Sequence, residues 1–255
     1  MNGISQLLSL EGKTALVTGG TRGIGRAIAA RLRDAGCAVA VCGRNPPKEA
    51  IEGVRFHSAD IRDPDQCKAL IEAVAAENGG LDILVNNAGG SPSSDAATAS
   101  PRFAEAIVRL NLLAPLYMAQ AAYPYLVRSG GNIVNIASVA GARPAPGTTV
   151  YGAAKAGLLN MTQSLAQEWG PAGIRVNAII VGLMQTETAE ETYGDAAAQA
   201  RVAQSLPLQR MGRGGDIADA VLYLASPLAA YVSGARLNVD GGGERPYFLD
   251  LVKGS

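Results

Sequence analysis

Three cysteines and one histidine are all that the 255 residues offer of the side chains most used in thiol chemistry and metal binding. Cys37, Cys42 and Cys67 are odd in number and form no CxxC pair, so neither a disulfide framework nor a zinc site is expected. His57 has no partner ligands nearby in the sequence and reads as structural, so no metal is expected. Charge of one sign is missing too: 22 Lys and Arg balance 22 Asp and Glu. A chain without basic excess offers no general surface for nucleic acid. Long apolar runs are also lacking. The longest stretch, 111–127, is interrupted by Pro115, Gln120 and Pro124 and falls short of a spanning helix. Met1 to Leu10 lacks a basic region followed by an apolar run, so it does not read as a signal peptide. A cytoplasmic protein that binds neither membrane nor nucleic acid is the expectation.

What is present is apolar bulk and glycine. Hydrophobic residues make up 48% and glycine 31 of 255, which excludes a disordered chain and points to many tight turns. A chain of this length buries about 70% of its unfolded surface, enough for one large core. Residues 1–255 are therefore expected to form a single domain.

Short apolar runs alternate with segments of helical period. Strands are expected at Thr14–Thr18, Ala38–Cys42, Val54–Ser58, Leu81–Val85, Asn132–Ile136, Arg175–Ile180 and Arg236–Val239. Several are apolar on both faces, as strands of a parallel sheet covered by helices must be. Asp63-Pro64 and Ser100-Pro101 each place a capping residue before a proline at a helix start. Asp216 is expected to cap a further helix, and Gly170-Pro171 to stop a long one that begins near Tyr151. The repetition implies right-handed crossovers and a doubly wound α/β sheet of seven strands. Residues 182–215, rich in Ala, Glu, Gln and Thr, break the pattern and are expected to form a mobile helical flap. In the tail, 244–255, Tyr247, Phe248, Leu249 and Leu251 are unusually apolar for a chain end, which suggests docking on a neighbouring subunit.

The first strand runs into Thr18-Gly-Gly-Thr-Arg-Gly-Ile-Gly25 and then into a helix. A glycine turn in that place leaves backbone N–H groups at the positive helix end, where a pyrophosphate can sit. Gly25 is expected to let the helix pack closely on the sheet. Tyr151 and Lys155 lie four apart on a predicted helix and share a face. An ammonium about 4 Å from a phenol, at an effective dielectric of ~20, is worth roughly 4 kcal/mol, or some three pKa units. That would bring Tyr151 from its ordinary value near 10 toward 7, where it can exchange a proton. Ser138 stands at the carboxyl edge of the fifth strand, where such sheets bind ligands.

The glycine spacing, Asn86-Asn-Ala-Gly89 after the fourth strand, Asn111, Ser138, Tyr151, Lys155 and Asp240 to Gly243 together resemble the short-chain dehydrogenase/reductase family. The resemblance runs from about Leu10 to Gly243 and is nearest the 3-oxoacyl-thioester (acyl-carrier-protein) reductase type. It implies a Rossmann-like α/β architecture, with the strands in the order 3-2-1-4-5-6-7, and hydride exchange between a nicotinamide and a carbonyl or secondary alcohol. Asn111, Ser138, Tyr151 and Lys155 would be catalytic, with Asn111 holding a water that links Lys155 to solvent. Gly19, Thr21, Arg22, Gly23, Ile24, Gly25, Asp60, Ile61, Asn87, Ala88, Gly89, Tyr151, Lys155 and Thr186 would meet the cofactor. A homotetramer built partly on the helices around 111–127 and 151–169 is also implied. A sterol, polycyclic ketone or sugar substrate stays open beside the acyl thioester.

Cofactor choice is expected to turn on the end of the second strand, where NAD enzymes usually carry a carboxylate for the ribose diol. Here that place is Gly43, followed by Arg44, and Arg22 adds a second guanidinium. Two charge-assisted contacts to a 2′-phosphate favour NADP(H) by roughly 10²-fold, with NAD(H) the alternative if Arg44 only stacks on adenine. Asp60 has an alternative reading as a loop cap. One departure from the family pattern is Val181, where a proline is usual before Gly182; this leaves one more free φ at the pocket floor.

Overall fold

A computed structural model describes residues 3–246, Phe248 and Val252. Seven strands form one parallel sheet: β1 (Thr14–Thr18), β2 (Ala38–Gly43), β3 (Val54–Ser58), β4 (Ile83–Asn86), β5 (Asn132–Ile136), β6 (Arg175–Val181) and β7 (Arg236–Val239). Their order is β3-β2-β1-β4-β5-β6-β7, as the sequence predicts. The helices are α1 (Ile4–Leu8), α2 (Gly23–Asp34), α3 (Pro64–Asn78), α4 (Pro101–Val108), α5 (Ala114–Ser129), α6 (Thr149–Trp169), α7 (Ala189–Tyr193), α8 (Ala196–Ser205) and α9 (Gly214–Ala225). Among the described residues no helix is long and apolar enough to cross a membrane.

The strands are apolar on both sides because both sides are covered. Ala15 and Val17 of β1 face a core shared with Ile28 and Leu32 of α2 and Ile217, Val221 and Leu224 of α9. Leu16, between them, faces the opposite core with Leu70 and Ile71 of α3 and Met118 and Leu126 of α5. The alternation along β1 is the period-two geometry of a strand expressed in a sheet buried twice.

Some boundaries differ from the sequence expectation. β4 starts at Ile83 rather than Leu81; Asp82 just before it still bonds Thr14 and Asn132 through its backbone, and its carboxylate accepts from Thr14 N (2.9 Å) and Lys13 Nζ (2.9 Å). Asp216 does not stand at the helix boundary. α9 begins two residues earlier, at Gly214, and Asp216 reaches back to accept from Arg213 N at 2.7 Å. β6 continues through Val181, opposite Val239, a continuation that the usual proline would disfavour. The short helix α1 is not foreseen by any period in the sequence.

The segment 182–215 is closed at its base. Gly212 N donates to Leu183 O (2.9 Å) and Gln185 N to Gly212 O (2.8 Å), so the loop enclosed by these bonds is 186–211. Of the apolar tail run, Phe248 is exposed and the other three residues lie outside the described residues.

Candidate active site

The carboxyl ends of β1, β4 and β5 meet in a network centred on Thr18. Its buried hydroxyl accepts from Asn87 N and Ala88 N, each at 3.0 Å, and Asn87 Nδ2 donates to Thr18 O (2.8 Å) and Gly19 O (3.2 Å). The loop 86–89 is thereby bonded to the glycine turn. A Cβ on Gly25 would lie 2.4 Å from both Asn87 Nδ2 and Gly19 O. The glycine is required by the turn's own backbone and by Asn87, not by the sheet as the sequence suggests. Below this layer Asn86 Nδ2 donates to Asn135 Oδ1 (2.9 Å), and Asn135 Nδ2 to Thr162 Oγ1 (2.9 Å), all buried.

Ser138 follows β5 and caps a single helical turn, 139–141, through Ala140 N at 3.2 Å. Tyr151, on the first turn of α6, lies close enough to Ser138 for the serine hydroxyl to pull its pKa down. Lys155, one turn on, is buried; its Nζ donates to Ile136 O at 2.7 Å and lies 5.7 Å from the Tyr151 ring centre. The expected lowering of the Tyr151 pKa is not found. Burial pushes the phenol up, the Ser138 hydroxyl pulls it back in part, and the Tyr193 hydroxyl pushes it up further. Burial also brings the Lys155 ammonium down to about 8. Loss of hydration disfavours both charged forms and outweighs an ammonium whose hydrogen bond goes to a carbonyl.

Asn111 sits in a π-helical turn, 109–113, between α4 and α5. Its Nδ2 donates to Ile107 O (2.9 Å) and Gly90 O (3.0 Å), and its Oδ1 accepts from Gly90 N (2.9 Å). Both amide protons are used, so a water held by this side chain would have to donate to Oδ1, whose second lone pair is not taken by Gly90 N. Gly89 joins Asn111 to Lys155: a Cβ there would lie 2.7 Å from Asn111 Oδ1 and 3.2 Å from Lys155 Nζ.

Toward β2, a Cβ on Gly43 would meet Thr21 Cγ2 at 3.2 Å, so the strand end carrying Arg44 and the turn carrying Arg22 are neighbours. Both arginines are exposed. Asp60 is held by Arg62 through side chain and backbone, which keeps its carboxyl below the usual range. This is the loop-capping arrangement. Ile24 packs in part against the α2 core, and Ile61 is buried under α3, so Ile61 can offer a ligand only its backbone. Thr186 lies just inside the flap, with Ala189 N on its carbonyl at 3.0 Å.

Several groups at the site carried no sequence signal because their partners are remote in the chain. Glu187 accepts from Gly23 N at 3.2 Å. Arg143, five residues past Ser138, pairs with Glu244 beyond β7, and both act electrostatically on Tyr193. The three thiols are buried and each is pushed up to about 12, so none is a nucleophile near neutrality. Among the described residues no group of three His, Cys, Asp or Glu side chains could hold a metal ion.

A family model described as enoyl-(acyl carrier protein) reductase matches residues 19–244. The chain belongs to the short-chain dehydrogenase/reductase family. It is similar to 2-dehydro-3-deoxy-D-gluconate 5-dehydrogenase of Escherichia coli, 36% identical over 94% of this chain and 98% of that protein. The 3-oxoacyl-[acyl-carrier-protein] reductase FabG of Staphylococcus aureus is also 36% identical, over 90% and 97%. The RhlG/NADP active-site complex of Pseudomonas aeruginosa superposes with a TM-score of 0.85 at 31% identity, covering 92% of this chain and 98% of that one. As a member of this family the protein is an NAD(P)-dependent oxidoreductase acting on CH–OH groups of a small-molecule substrate.

Proposed function

We propose that the protein interconverts a ketone and a secondary alcohol with NADP(H), using Tyr151 as the proton donor and acceptor. The observation that carries this reading is the constellation of half-buried Ser138 and Tyr151 over the buried Lys155, whose Nζ lies against Gly89 of the loop bonded to the glycine turn. The residues fit a dinucleotide: the turn presents the N-terminus of a 12-residue helix, and Gly23 N already donates to a carboxylate, an anion in a phosphate's place. Gly19, Thr21, Arg22, Gly23, Ile24 and Gly25 would hold the pyrophosphate side, and Asn87, Ala88, Gly89, Lys155 and Thr186 the nicotinamide side. Arg44, with Asp60 and Ile61, would border the adenosine. When bound, the cofactor supplies or accepts the hydride.

The chain's own part is polar. Ser138 orients the carbonyl oxygen. Tyr151, a phenol neutral at pH 7 whose pKa burial raises further, donates its proton to that oxygen in reduction and recovers it in oxidation. Lys155 keeps a positive charge under the phenol and favours its transient ionisation. Asn111 and Gly89 fix the floor on which Lys155 stands. The relatives' names point to different substrates, a sugar acid and an acyl thioester, at equal identity. A 3-oxoacyl thioester is one candidate, and a sterol, polycyclic ketone or sugar the others. Assembly as a homotetramer through α5 and α6 completes the proposal.

Absorbance at 340 nm, read across a panel of ketones and alcohols with each cofactor, tests the reaction class. No turnover in either direction would remove it. The NADP(H) preference turns on Arg44 and Gly43. Arg44→Ala should weaken NADPH by ~1–3 kcal/mol and spare NADH, because only the former has a phosphate to lose. Gly43→Asp should invert the preference in kcat/KM, at a small steric cost against Thr21. A parent enzyme that already prefers NADH would reduce Arg44 to an adenine-stacking residue.

A further inference from the structure

The N-terminus of α2 has no cap of its own. Arg22, before it, makes no side-chain capping bond, and the helix has no acidic residue in its first turn. The cap comes instead from the flap: Glu187 places Oε1 3.2 Å from Gly23 N across 164 residues of sequence. Its other oxygen, Oε2, would lie 3.5 Å from a Cβ on Gly23. The carboxylate is therefore set over the first peptide of the helix, at the positive end of the backbone dipoles.

We propose that Glu187 is an affinity-setting residue of the dinucleotide site, an internal anion that a cofactor phosphate must displace. The proposal rests on the dinucleotide reading above. The two anions compete for one donor, and like charge forbids them to share it. Displacement leaves no buried charge, since Glu187 is exposed and returns to water. It also has a mechanical consequence. Glu187 is two residues past Gln185, whose N–H is pinned to Gly212 O, and directly follows Thr186. Expelling the carboxylate therefore frees the short stretch between that pin and α7, the stretch that carries Thr186, from its bond to the glycine turn. The free enzyme thus keeps its flap drawn onto the glycine turn, and arrival of the dinucleotide releases it. Glu187 tunes affinity downward and links cofactor binding to the position of the flap.

The test is a fluorescence or calorimetric titration of NADPH and NADH into the parent, Glu187→Gln and Glu187→Ala. Adenosine 2′-monophosphate, which lacks the pyrophosphate, is the second probe. Both variants should bind the preferred dinucleotide about 5- to 10-fold more tightly, the scale of one carboxylate at a helix N-terminus together with a relieved like-charge contact. The Kd for adenosine 2′-monophosphate should stay within about twofold, because removing one charge at the helix end acts only on the phosphates bound there. Unchanged or weaker dinucleotide binding in both variants would overturn the proposal, as Glu187 would then be inert or a clamp that helps the cofactor. Equal tightening of adenosine 2′-monophosphate would overturn it as well, by showing a general charge effect. If the parent binds neither dinucleotide, the oxidoreductase reading itself fails.

Discussion

On one side of the cleft, the glycine turn, the 86–89 loop and the start of α6 are joined by bonds that lie in the core: Thr18 to Asn87 and Ala88, Asn86 to Asn135, Asn135 to Thr162, Lys155 to Ile136. On the other side, the flap buries Ala189, Leu206 and Met211, but the side-chain bonds that tie it and the chain after β7 to the rest are made by more exposed groups: Glu187 on Gly23, Arg143 with Glu244, Arg210 with Asp216. The difference is one of exchangeability. A buried amide that loses its partner has no water to turn to, so the first wall has a single arrangement. An exposed carboxylate gives up a protein donor for water at little cost, so the second wall can open and close.

The largest expected effect is on the first wall, at Lys155. Lys155→Met should cost at least ~10²-fold in kcat, since the phenol loses the charge beneath it. The same change should raise Tm by ~3–8 °C, because a buried ammonium is replaced by an apolar chain of similar volume. The sign of the pH dependence follows from burial. The folded pKa of Lys155 is about 8 against 10.5 for the exposed side chain, so between these values the unfolded chain binds more protons. The parent's stability should therefore rise relative to the variant's as pH goes from 8 to 10.5. Denaturant titrations at the two ends of that window check it, and a constant difference between the proteins would contradict the burial argument.

Gly89→Ala should come next. The added Cβ meets Asn111 Oδ1 at 2.7 Å and Lys155 Nζ at 3.2 Å in a region that cannot yield. Overpacking of this kind costs about 1–3 kcal/mol, which a melting curve reads directly. A variant as stable as the parent would show that the first wall is softer than its bonding implies.

The smallest effect is expected on the second wall. Glu244→Gln breaks an ion pair whose members are 29% and 40% exposed. Such pairs contribute about 1 kcal/mol or less, so Tm should fall by no more than a few degrees. A larger loss would mean that the tail beyond Glu244 is bound more firmly than its exposed contacts suggest.

The two walls were also unequally legible in the sequence. All seven strands follow from apolar runs and helical periods, their order from the family resemblance, and the Tyr151, Lys155 and Ser138 constellation from local spacing and strand ends. Where a side chain acts within a turn or two of its own element, pattern reveals it. The starts of β4 and α9 carry carboxylate contacts, of Asp82 and Asp216, that period does not encode. Asn111 stands out in an apolar helix, yet only the structure shows that its amide is consumed by Gly90 and Ile107 in a π-turn. Glu187 on Gly23 and Arg143 with Glu244 join positions more than a hundred residues apart, on exposed side chains free of any periodic constraint. The same exposure that makes the second wall exchangeable hides it from sequence.

The most direct measurement is the turnover of Tyr151→Phe with the best ketone found by the 340 nm screen, alongside its NADPH affinity by titration. The bonds that join the glycine turn to the 86–89 loop run through Thr18 and Asn87, so removal of the phenol's hydroxyl should leave the turn and its ligand intact. Tyr151 acting as the proton donor predicts unchanged NADPH binding and a kcat lower by at least ~10²-fold. Near-parental turnover with unchanged binding would contradict it.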